Sequence, residues 1–231
     1  MEDYRAKAVN PQQYDSPELD WRIDGDEDAY WRIFFRNHLK PYLNNLAGKR
    51  VLDIGSGVGQ LFNMLKGLGA SEIVGIDPSK RNVESSQKTH PDVVVLQKSL
   101  QQFDMDIKFD VAICIMVFEH IPDIDVALSR VSQLLNEKGR FYLIVGDMEC
   151  FIQSIPGAEV DAQPLPEGGY ATKTIRPNGT MFDIFRPLEN YITSAQFNGL
   201  KLVDEKGLVS TSEQHKSMDG KPICHLLVLE K

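Results

Sequence analysis

The chain has 231 residues, of which 42% are hydrophobic and 25% are charged, and its formal net charge is −8. This length and composition are typical of a single globular domain that buries a core of its own. The negative charge would repel long polyanions, and no run of Lys and Arg offsets it. Nucleic acid is therefore not an expected partner.

Signals for export or membrane insertion are not seen in the sequence. The first residues are polar, and the longest apolar run, residues 111–118, is far too short to span a bilayer. The cysteines, Cys114, Cys150 and Cys224, have no metal-ligand spacing. Cys114 and Cys224 lie within apolar strand patterns, so we expect them to be reduced core residues. These features favour a cytoplasmic protein with no membrane span.

The first part of the chain combines a polar segment with a helical pattern. Residues 1–25 are polar and acidic and contain two prolines, which predicts a loop or a mobile arm. Residues 26–46 carry apolar side chains at helical spacing and are interrupted at Pro41, where we expect the helix to break. Either a lid over a ligand or a core-facing surface fits the aromatic residues of this helix, which are Tyr30, Trp31, Phe34 and Phe35.

Between residues 48 and 147, short apolar strand patterns alternate with helical patterns. A turn at residues 136–139 is expected to precede the last of these strands. Ser79 is a suitable N-cap for the helix after the second strand, and Asp123 or Asp125 for the helix after the fourth. Such alternation predicts a parallel sheet with helices on both faces. The predicted strands are residues 50–54, 72–77, 93–96, 109–115 and 140–145.

The pattern loosens after this region. Residues 148–186 are rich in proline and glycine, and they predict no regular element. A helix at residues 188–197 and two strands at residues 200–204 and 223–229 are then expected to complete the sheet. The loop between these strands, around His215, is polar and should be exposed.

The most specific pattern lies at the end of the first strand. Residues 51–59 read VLDIGSGVG, a buried strand that runs into Gly55, Gly57 and Gly59. Glycine at such a place lets the bare main chain approach a ligand closely. The second strand ends in Asp77, whose carboxylate could accept hydrogen bonds from the hydroxyls of a ribose. The two strands together predict a nucleoside-binding site.

The spacing of the glycines distinguishes between nucleosides. A dinucleotide fingerprint requires G-x-G-x-x-G, but here the third glycine comes one residue early, and Gln60 holds the place of the fingerprint's third small residue. The chain also lacks a G-K-S/T motif for a triphosphate. The pattern resembles instead the class I S-adenosylmethionine-dependent methyltransferases, whose motifs read like VLDIGSGVG and IVGIDPS. The resemblance covers residues 48–147. It implies an α/β fold with a Rossmann-like, doubly wound sheet of seven strands, mostly parallel with an antiparallel last strand.

The resemblance also implies a methyl donor, S-adenosylmethionine, and a product, S-adenosylhomocysteine. In this family the glycine loop contacts the methionine and ribose portions of the donor, and the acid within the first strand, here Asp53, helps to hold its amino group. Asp77 would accept the ribose hydroxyls, and Ser99 with Leu100 would contact the adenine. The donor-binding residues that we expect are Asp53, Gly55, Ser56, Gly57, Gly59, Gln60, Asp77, Pro78, Ser99, Leu100, Ile115 and Met116.

Residues 116–123 follow the fourth strand, at the rim where family members place the reacting methyl group. They lack the [DN]-P-P-[FY] motif of amino-directed DNA methyltransferases and the Pro-Cys pair of cysteine-nucleophile enzymes. They are similar to small-molecule methyltransferases of the ubiquinone-pathway O-methyltransferase type, whose E-x-x-E-H motif can bind a divalent cation. Met116 replaces the first acid of that motif, so no metal is predicted.

His120 is the candidate general base, because the unperturbed pKa of histidine lies near neutrality. The alternative is that His120 only packs or forms hydrogen bonds near the donor. Glu119 is expected to be structural. Arg186 is expected on the surface, or paired with an anionic group of the methyl acceptor.

The sequence thus predicts one methyltransferase domain in four segments. They are an arm and cap helix (1–47), a donor-binding core (48–147), a substrate-covering insert (148–186) and a sheet-closing segment (187–231). The predicted function is methyl transfer to O, N or C of a small molecule by in-line displacement. A protein or RNA acceptor, or a donor-binding protein without turnover, are the alternatives, and Gln60 disfavours a nicotinamide oxidoreductase. The sequence specifies neither the acceptor nor the oligomeric state.

Overall fold

The part of the chain that the computed structural model describes comprises residues 2–15, 26–154, 157–177, 179–210 and 220–231, without the side chains of residues 26–29. His215 lies outside these ranges. In chain order, the strands are β1 (Arg50–Ile54), β2 (Glu72–Asp77), β3 (Val94–Gln97), β4 (Phe109–Ile115), β5 (Leu135–Gly146), β6 (Glu159–Pro164), β7 (Tyr170–Arg176), β8 (Gly179–Phe185), β9 (Lys201–Leu208) and β10 (Cys224–Glu230). The helices are α1 (Tyr4–Ala8), α2 (Asp26–Leu39), α3 (Phe62–Gly67), α4 (Lys80–Thr89), α5 (Ile124–Leu134), α6 (Met148–Phe151) and α7 (Leu188–Phe197). Short 3₁₀ helices lie at Pro11–Asp15 and Phe118–His120.

A seven-stranded sheet forms the centre of the described structure, in the order β3-β2-β1-β4-β5-β10-β9. Strands β1 to β5 pair in parallel, and β10 runs antiparallel to both β5 and β9. This confirms the predicted doubly wound α/β fold with an antiparallel last strand. Because the carboxyl ends of parallel strands meet at one edge of a sheet, the loops after β1, β2 and β4 lie side by side.

Two hydrophobic clusters fill the two faces of this sheet. Leu52 and Ile54 of β1 belong to a cluster with residues of α5 and α7, whereas Val51 belongs to a cluster with residues of α2 and α3. This division follows from the strand geometry, since successive side chains point to opposite faces. Cys114 and Cys224 are free and buried, one in each cluster, which confirms that they are reduced core residues.

The helix boundaries follow local capping chemistry. The hydroxyl of Ser79 accepts a hydrogen bond from the Asn82 N–H at 3.2 Å, and the carboxylate of Asp123 accepts one from the Val126 N–H at 3.0 Å. Both N-caps are as predicted, with Asp123 as the cap of α5. Helix α2 ends two residues before Pro41, whose ring cannot continue a helix. No helix within the described ranges combines the length and apolar character needed to cross a membrane.

Three parts of the chain differ from the sequence expectations. Residues 2–15 were predicted to be a loop but contain α1 and a 3₁₀ helix, and Asp3 caps α1 by accepting from the Ala6 N–H at 3.0 Å. The insert was predicted to be irregular but contains α6 and the three-stranded antiparallel sheet β6-β7-β8. The predicted turn at 136–139 belongs instead to β5, where Lys138 has a φ of 64° and the pairing with β4 shifts register. These elements depend on tertiary contacts, which a local pattern does not contain.

A buried arginine fixes the loop after β4. Arg186, at the end of the insert, is only 4% exposed. Its guanidinium donates to the Phe118 carbonyl at 3.1 Å and to the Ile121 carbonyl at 2.7 Å, with a further bond to the Pro122 carbonyl at 3.2 Å. The expectation of a surface arginine is therefore wrong, because Arg186 is buried and donates to the carbonyl groups of this turn. Its pairing with an anionic group of the acceptor stays a prediction.

A buried glutamate fixes the other side of the same loop. Glu119 is 1% exposed, and its Oε1 accepts a hydrogen bond from the Gly146 N–H at 2.7 Å. Its Oε2 is buried and has no hydrogen-bond partner among the described residues. Burial raises the pKa of Glu119 to about 7, and the Gly146 N–H and the Arg186 charge only partly oppose this rise. The contacts agree with the predicted structural role.

The β6–β7 turn contains two glycines with nearly the same backbone conformation, φ +89° at Gly168 and +87° at Gly169. A Cβ at Gly168 would meet nothing within 4 Å, whereas one at Gly169 would lie 2.3 Å from the Phe185 carbonyl oxygen. Both positions need the left-handed region, but only Gly169 also needs the absence of a side chain.

We expect Gly169→Ala to destabilise the protein by at least about 2 kcal/mol more than Gly168→Ala, because backbone must move to relieve the clash. Gly168→Ala should cost only the backbone strain, roughly 1–2 kcal/mol. Urea unfolding of both variants measures the difference. Equal destabilisation would contradict the predicted close contact with Phe185.

Glu119→Gln is expected to remove a pH-dependent loss of stability. An unfolded Glu titrates at about 4.3, so between that pH and about 7 the folded wild type binds more protons than the unfolded chain. The contribution of the Glu119 carboxyl to the free energy of unfolding therefore falls as the pH rises through this range. Relative to Glu119→Gln, the wild-type free energy of unfolding should fall by about 1–3 kcal/mol between about pH 5 and pH 8.

The control for this comparison is Asp92→Asn. The Lys66 ammonium lowers the pKa of Asp92, so this carboxylate is ionised in both states across the same window. The difference in free energy of unfolding between Asp92→Asn and wild type should therefore not change with pH. Denaturant titrations at several pH values measure both differences, and a flat line for Glu119→Gln as well would refute the raised pKa.

Candidate functional site

The loop after β1 turns through three glycines with positive φ: Gly55 at +70°, Gly57 at +55° and Gly59 at +84°. A Cβ at Gly55 would lie 2.2 Å from a Val117 methyl group, and one at Gly59 would lie 2.7 Å from the Phe62 ring. A Cβ at Gly57 would meet nothing within 4 Å. The outer two glycines are thus required by the packing of the protein itself, whereas Gly57 faces open space that a side chain would fill.

The carboxylate of Asp77 is joined directly to this loop. Its Oδ2 accepts a hydrogen bond from the Gly57 N–H at 2.9 Å, and its Oδ1 accepts from the Ser79 N–H at 2.9 Å and from the Asn82 amide at 3.2 Å. The residue is only 6% exposed. The structure therefore joins Asp77, which the sequence predicts to bind the ribose, to the glycine loop.

Asp53 lies beside Asp77, one strand away, and is 4% exposed. Burial, and then the neighbouring Asp77 carboxylate, raise the pKa of Asp53 to about 7. No hydrogen bond from a described residue lowers it again. The hydroxyl of Ser56 is also buried without a partner among the described groups. Polar groups in this state fit a cationic or hydrogen-bonding ligand better than an empty core.

The predicted adenine contacts lie after β3. The Ser99 N–H donates to the Gln102 side chain at 3.1 Å, and the Ser99 hydroxyl accepts from the Gln102 N–H at 3.3 Å. The Leu100 side chain is buried in the core, which leaves its main chain as the group that could contact a ligand. Of the other predicted contacts, Gln60 is exposed at the end of the glycine loop, and Pro78 is half-buried beside Asp77.

The rim after β4 begins with Ile115 and Met116, both half-buried. Met116 has a φ of 53°, which is uncommon for a residue other than glycine. Its N–H donates to the Ile144 carbonyl at 2.9 Å, and its sulfur lies 3.8 Å from the Cys224 sulfur. The chain therefore turns sharply here and places the following 3₁₀ helix, with His120, over the edge of the sheet.

His120 lies between the N-terminal segment and the insert. Its Nδ1 is 3.3 Å from the Ala8 carbonyl oxygen, and its Nε2 forms a hydrogen bond with the Tyr14 hydroxyl. The Tyr14 ring packs edge-on against the imidazole, with the ring centroids 5.0 Å apart. The Asp183 carboxylate, on β8, lies 3.5 Å from Nε2. The predicted base thus has partners on both ring nitrogens.

We call residues 2–15 the strap, because they cross the edge of the sheet from the insert to α4. At one end the Tyr4 hydroxyl donates to Asp161 at 2.6 Å, and in the middle Gln13 forms two hydrogen bonds with the main chain of Phe182, at 3.1 and 3.3 Å. At the other end Asp15 accepts a hydrogen bond from the Ser79 hydroxyl at 2.7 Å. The strap therefore covers the rim after β4 and ends beside Asp77.

Sequence reasoning missed Tyr14, Asp15 and Asp183. All three lie in segments that were predicted to be irregular, and each contacts a residue that is distant in the sequence. A weak signal for Asp183 was available, since it is an acid within the apolar stretch 181–185. No comparable signal marks Tyr14 or Asp15.

The aromatic residues of α2 form a packed group. Phe34 is buried in the core, and Tyr30, Trp31 and Phe35 pack against the same cluster. Neighbouring rings in this group lie 5.4 to 5.8 Å apart. Of the two alternatives, the structure supports a core-facing surface for Phe34.

A cavity of about 220 Å³ opens beside the carboxyl end of β5. Its walls include Asp147, Arg186 and His225, and no residue of the glycine loop. Both ring nitrogens of His225 face carboxylates, Asp147 at 3.0 Å and Glu205 at 2.9 Å. This cavity is therefore separate from the predicted donor site. Within the described ranges, no group of three or more His, Cys, Asp or Glu side chains is arranged to hold a metal ion.

Comparisons with known proteins agree with this geometry. The family model described as a methyltransferase domain matches residues 30–203. A ubiquinone biosynthesis O-methyltransferase from Bradyrhizobium diazoefficiens is 34% identical over 153 residues, which cover 64% of this chain and 59% of that protein. One from Rhodopseudomonas palustris strain BisB5 is 30% identical over 195 residues, or 81% of this chain and 72% of that protein. The chain thus spans about three fifths of the length of the first relative and somewhat more of the second.

Among solved structures, magnesium protoporphyrin IX methyltransferase from Synechocystis PCC 6803 with bound S-adenosylmethionine is similar in fold. The TM-score is 0.66 at 17% identity, over 100% of this chain and 98% of that one. The family match confirms the resemblance that the two motifs predicted. The chain belongs to the methyltransferase domain family.

Proposed function

We propose that the chain transfers a methyl group from S-adenosylmethionine to an oxygen atom of a small molecule. The observation that carries the proposal is the open face of Gly57, whose N–H donates to Asp77, together with the buried Asp53 carboxyl beside Asp77. The names of the curated relatives support an oxygen acceptor. The net charge of −8 favours a small acceptor over nucleic acid. The cytoplasmic location expected from the sequence stays a prediction.

The residues present fit this donor. The main chain at Gly55, Gly57 and Gly59 would contact its methionine and ribose portions, and Asp77 would accept the ribose hydroxyls. The Asp53 carboxyl, whose pKa is raised to about 7 by burial and by Asp77, would regain its charge opposite the amino group of the donor. When bound, S-adenosylmethionine supplies a methyl group on a positively charged sulfur.

The adenine contacts belong to the same proposal. Ser99 and Leu100 would face the base, with Gln60, Pro78, Ile115 and Met116 completing the surroundings of the donor. Gln102 is bonded to both the N–H and the hydroxyl of Ser99, so the remaining bonding capacity of that hydroxyl and the Leu100 N–H would contact the base.

The protein's contribution to the reaction would be orientation, exclusion of water and removal of a proton. The strap and the insert meet above the rim after β4, where they would hold the acceptor and keep water out. His120 is the base that would take the proton of the acceptor hydroxyl. The division into a donor-binding core (48–147) and covering segments on either side of it is part of this proposal.

A donor-binding protein without turnover is the second candidate. The observation in its favour is that the Tyr14 hydroxyl occupies His120 Nε2. Incubation with S-adenosylmethionine and a broad panel of hydroxyl-bearing acceptors separates the two candidates. The enzyme forms S-adenosylhomocysteine in an acceptor-dependent manner, whereas a binder retains the donor unchanged.

Gly57→Val is expected to weaken binding of S-adenosylhomocysteine by about 100-fold or more, since the side chain would fill the space facing the loop. Gly48→Val is the matched control, because Gly48 also has a positive φ, +73°, with nothing within 4 Å, but precedes β1 at the opposite end of the strand. Calorimetry on both folded variants measures the effect. Equal affinity in the two variants would place the donor elsewhere.

His120→Ala is expected to lower turnover by about 10²-fold or more while leaving donor affinity unchanged, because the proton of the acceptor would lose its base. Rates of S-adenosylhomocysteine formation, with calorimetry on the donor, measure the two effects. A loss below about tenfold with unchanged donor binding would favour the packing role of His120.

A further inference from the structure

Three separate segments of the chain meet at His120. The strap contributes the Ala8 carbonyl and the Tyr14 hydroxyl, the rim after β4 contributes His120 itself, and β8 of the insert contributes Asp183. Glu119 precedes His120 in the same 3₁₀ helix, but its Oε1 is bonded to the main chain of β5. His120 is thus enclosed by groups that come from both covering segments.

These contacts distinguish the two ring nitrogens of His120. Nδ1 faces a carbonyl oxygen, which can only accept, so the neutral imidazole carries its proton there. Nε2 is then the atom that takes a second proton. The Tyr14 hydroxyl donates to Nε2 in this structure, and it marks the direction from which an acceptor hydroxyl would approach.

Protonation at Nε2 would place a positive charge next to the Asp183 carboxylate. It is 8% exposed, and its Oδ1 lies 3.5 Å from Nε2. Burial, and then the charge of Glu119, raise the pKa of Asp183 to about 7, while Arg176 on β7 acts in the opposite direction. A buried carboxylate of this kind is stabilised by a cation at short range, and the protonated imidazole is such a cation.

We propose that Asp183 is a positioning residue for His120, which orients the imidazole ring and stabilises its protonated form. The proposal deepens the proposed function and rests on it for the role of His120 as base. The proton of the acceptor hydroxyl would move to Nε2, and the resulting imidazolium would face the Asp183 carboxylate. The insert would therefore do more than cover the acceptor, since its second hairpin would set the strength of the base.

Within the described part of the chain, charged and titratable groups approach His120 from three elements. They are Tyr14 from the strap, Glu119 from the same 3₁₀ helix and Asp183 from β8. Arg176 acts on Asp183, and the Arg186 guanidinium is bonded to three carbonyls of the rim. Among the described residues, Asp183 is a carboxylate within 4 Å of Nε2, so its removal should have a large effect on the titration of His120.

The test is an NMR titration of the full chain labelled with ¹³C-histidine, in which the His120→Gln variant identifies the His120 signal. In Asp183→Asn we expect the titration midpoint of His120 to fall by about one pH unit or more, because the imidazolium loses the opposite charge near it. The amide is close in shape to the carboxyl and removes a buried charge, so this variant should fold. Asp183→Ser is the second variant, with the same expected fall.

The matched control is Asp161→Asn. Asp161 lies in the same three-stranded sheet, on β6 rather than β8, and accepts a hydrogen bond from the Tyr4 hydroxyl of the strap at 2.6 Å. In Asp161→Asn, the titration midpoint of His120 should stay within about 0.3 pH unit of its wild-type value. No shift in the Asp183 variants, or equal shifts in the Asp183 and Asp161 variants, would overturn the proposal. The titration needs neither donor nor acceptor, so failure of donor binding by calorimetry would refute the proposed function separately.

Discussion

The main-chain turn that follows β1 is the constraint on which the rest of the site depends. Val117 packs against it at Gly55 and Phe62 at Gly59, so the loop is held at both ends while Gly57 faces open space. The Gly57 N–H then donates to Asp77, which joins the end of β1 to the end of β2. A surface of bare main chain is open here for the predicted donor because neighbouring side chains fix the loop without filling it.

The parallel sheet places this loop beside the rim after β4, and the two outer segments of the chain cover that rim. Helix α1, with 5 residues, is far too short to be stable by itself. Helix α1 is held by contacts such as the bond from Tyr4 to Asp161, and the following 3₁₀ helix by the pair of bonds between Gln13 and Phe182. The strap and the insert therefore stabilise each other over the rim after β4.

Buried charge is concentrated at the same edge of the sheet. Asp53, Glu119 and Asp183 are each less than a tenth exposed, and burial raises the pKa of each to about 7. Apolar side chains at these positions would avoid the cost of desolvating a carboxyl group. Carboxyl groups kept in such surroundings are typical of functional sites, and here Glu119 holds the rim while the other two face the predicted donor and base.

The sequence by itself determined the central sheet and the glycine loop with its neighbouring acid, where the donor is predicted to bind. The bounds of β1 and β4, the N-caps at Ser79 and Asp123, and the glycine loop with its neighbouring Asp77 follow from strand alternation, capping chemistry and glycine spacing, which are local properties. These signals lie within a few residues of the features that they predict, and so a single sequence contains them.

Only the tertiary structure decided the arrangement around His120, where the proposed acceptor would lie. The strap, the three-stranded sheet of the insert, the burial of Arg186 and the contact of Asp183 with His120 all join residues that are distant in the chain. Their local patterns are weak, because strands with partly exposed faces alternate less clearly and short helices lack a full period. Which distant side chains meet is set by packing, and no spacing along the chain records that choice.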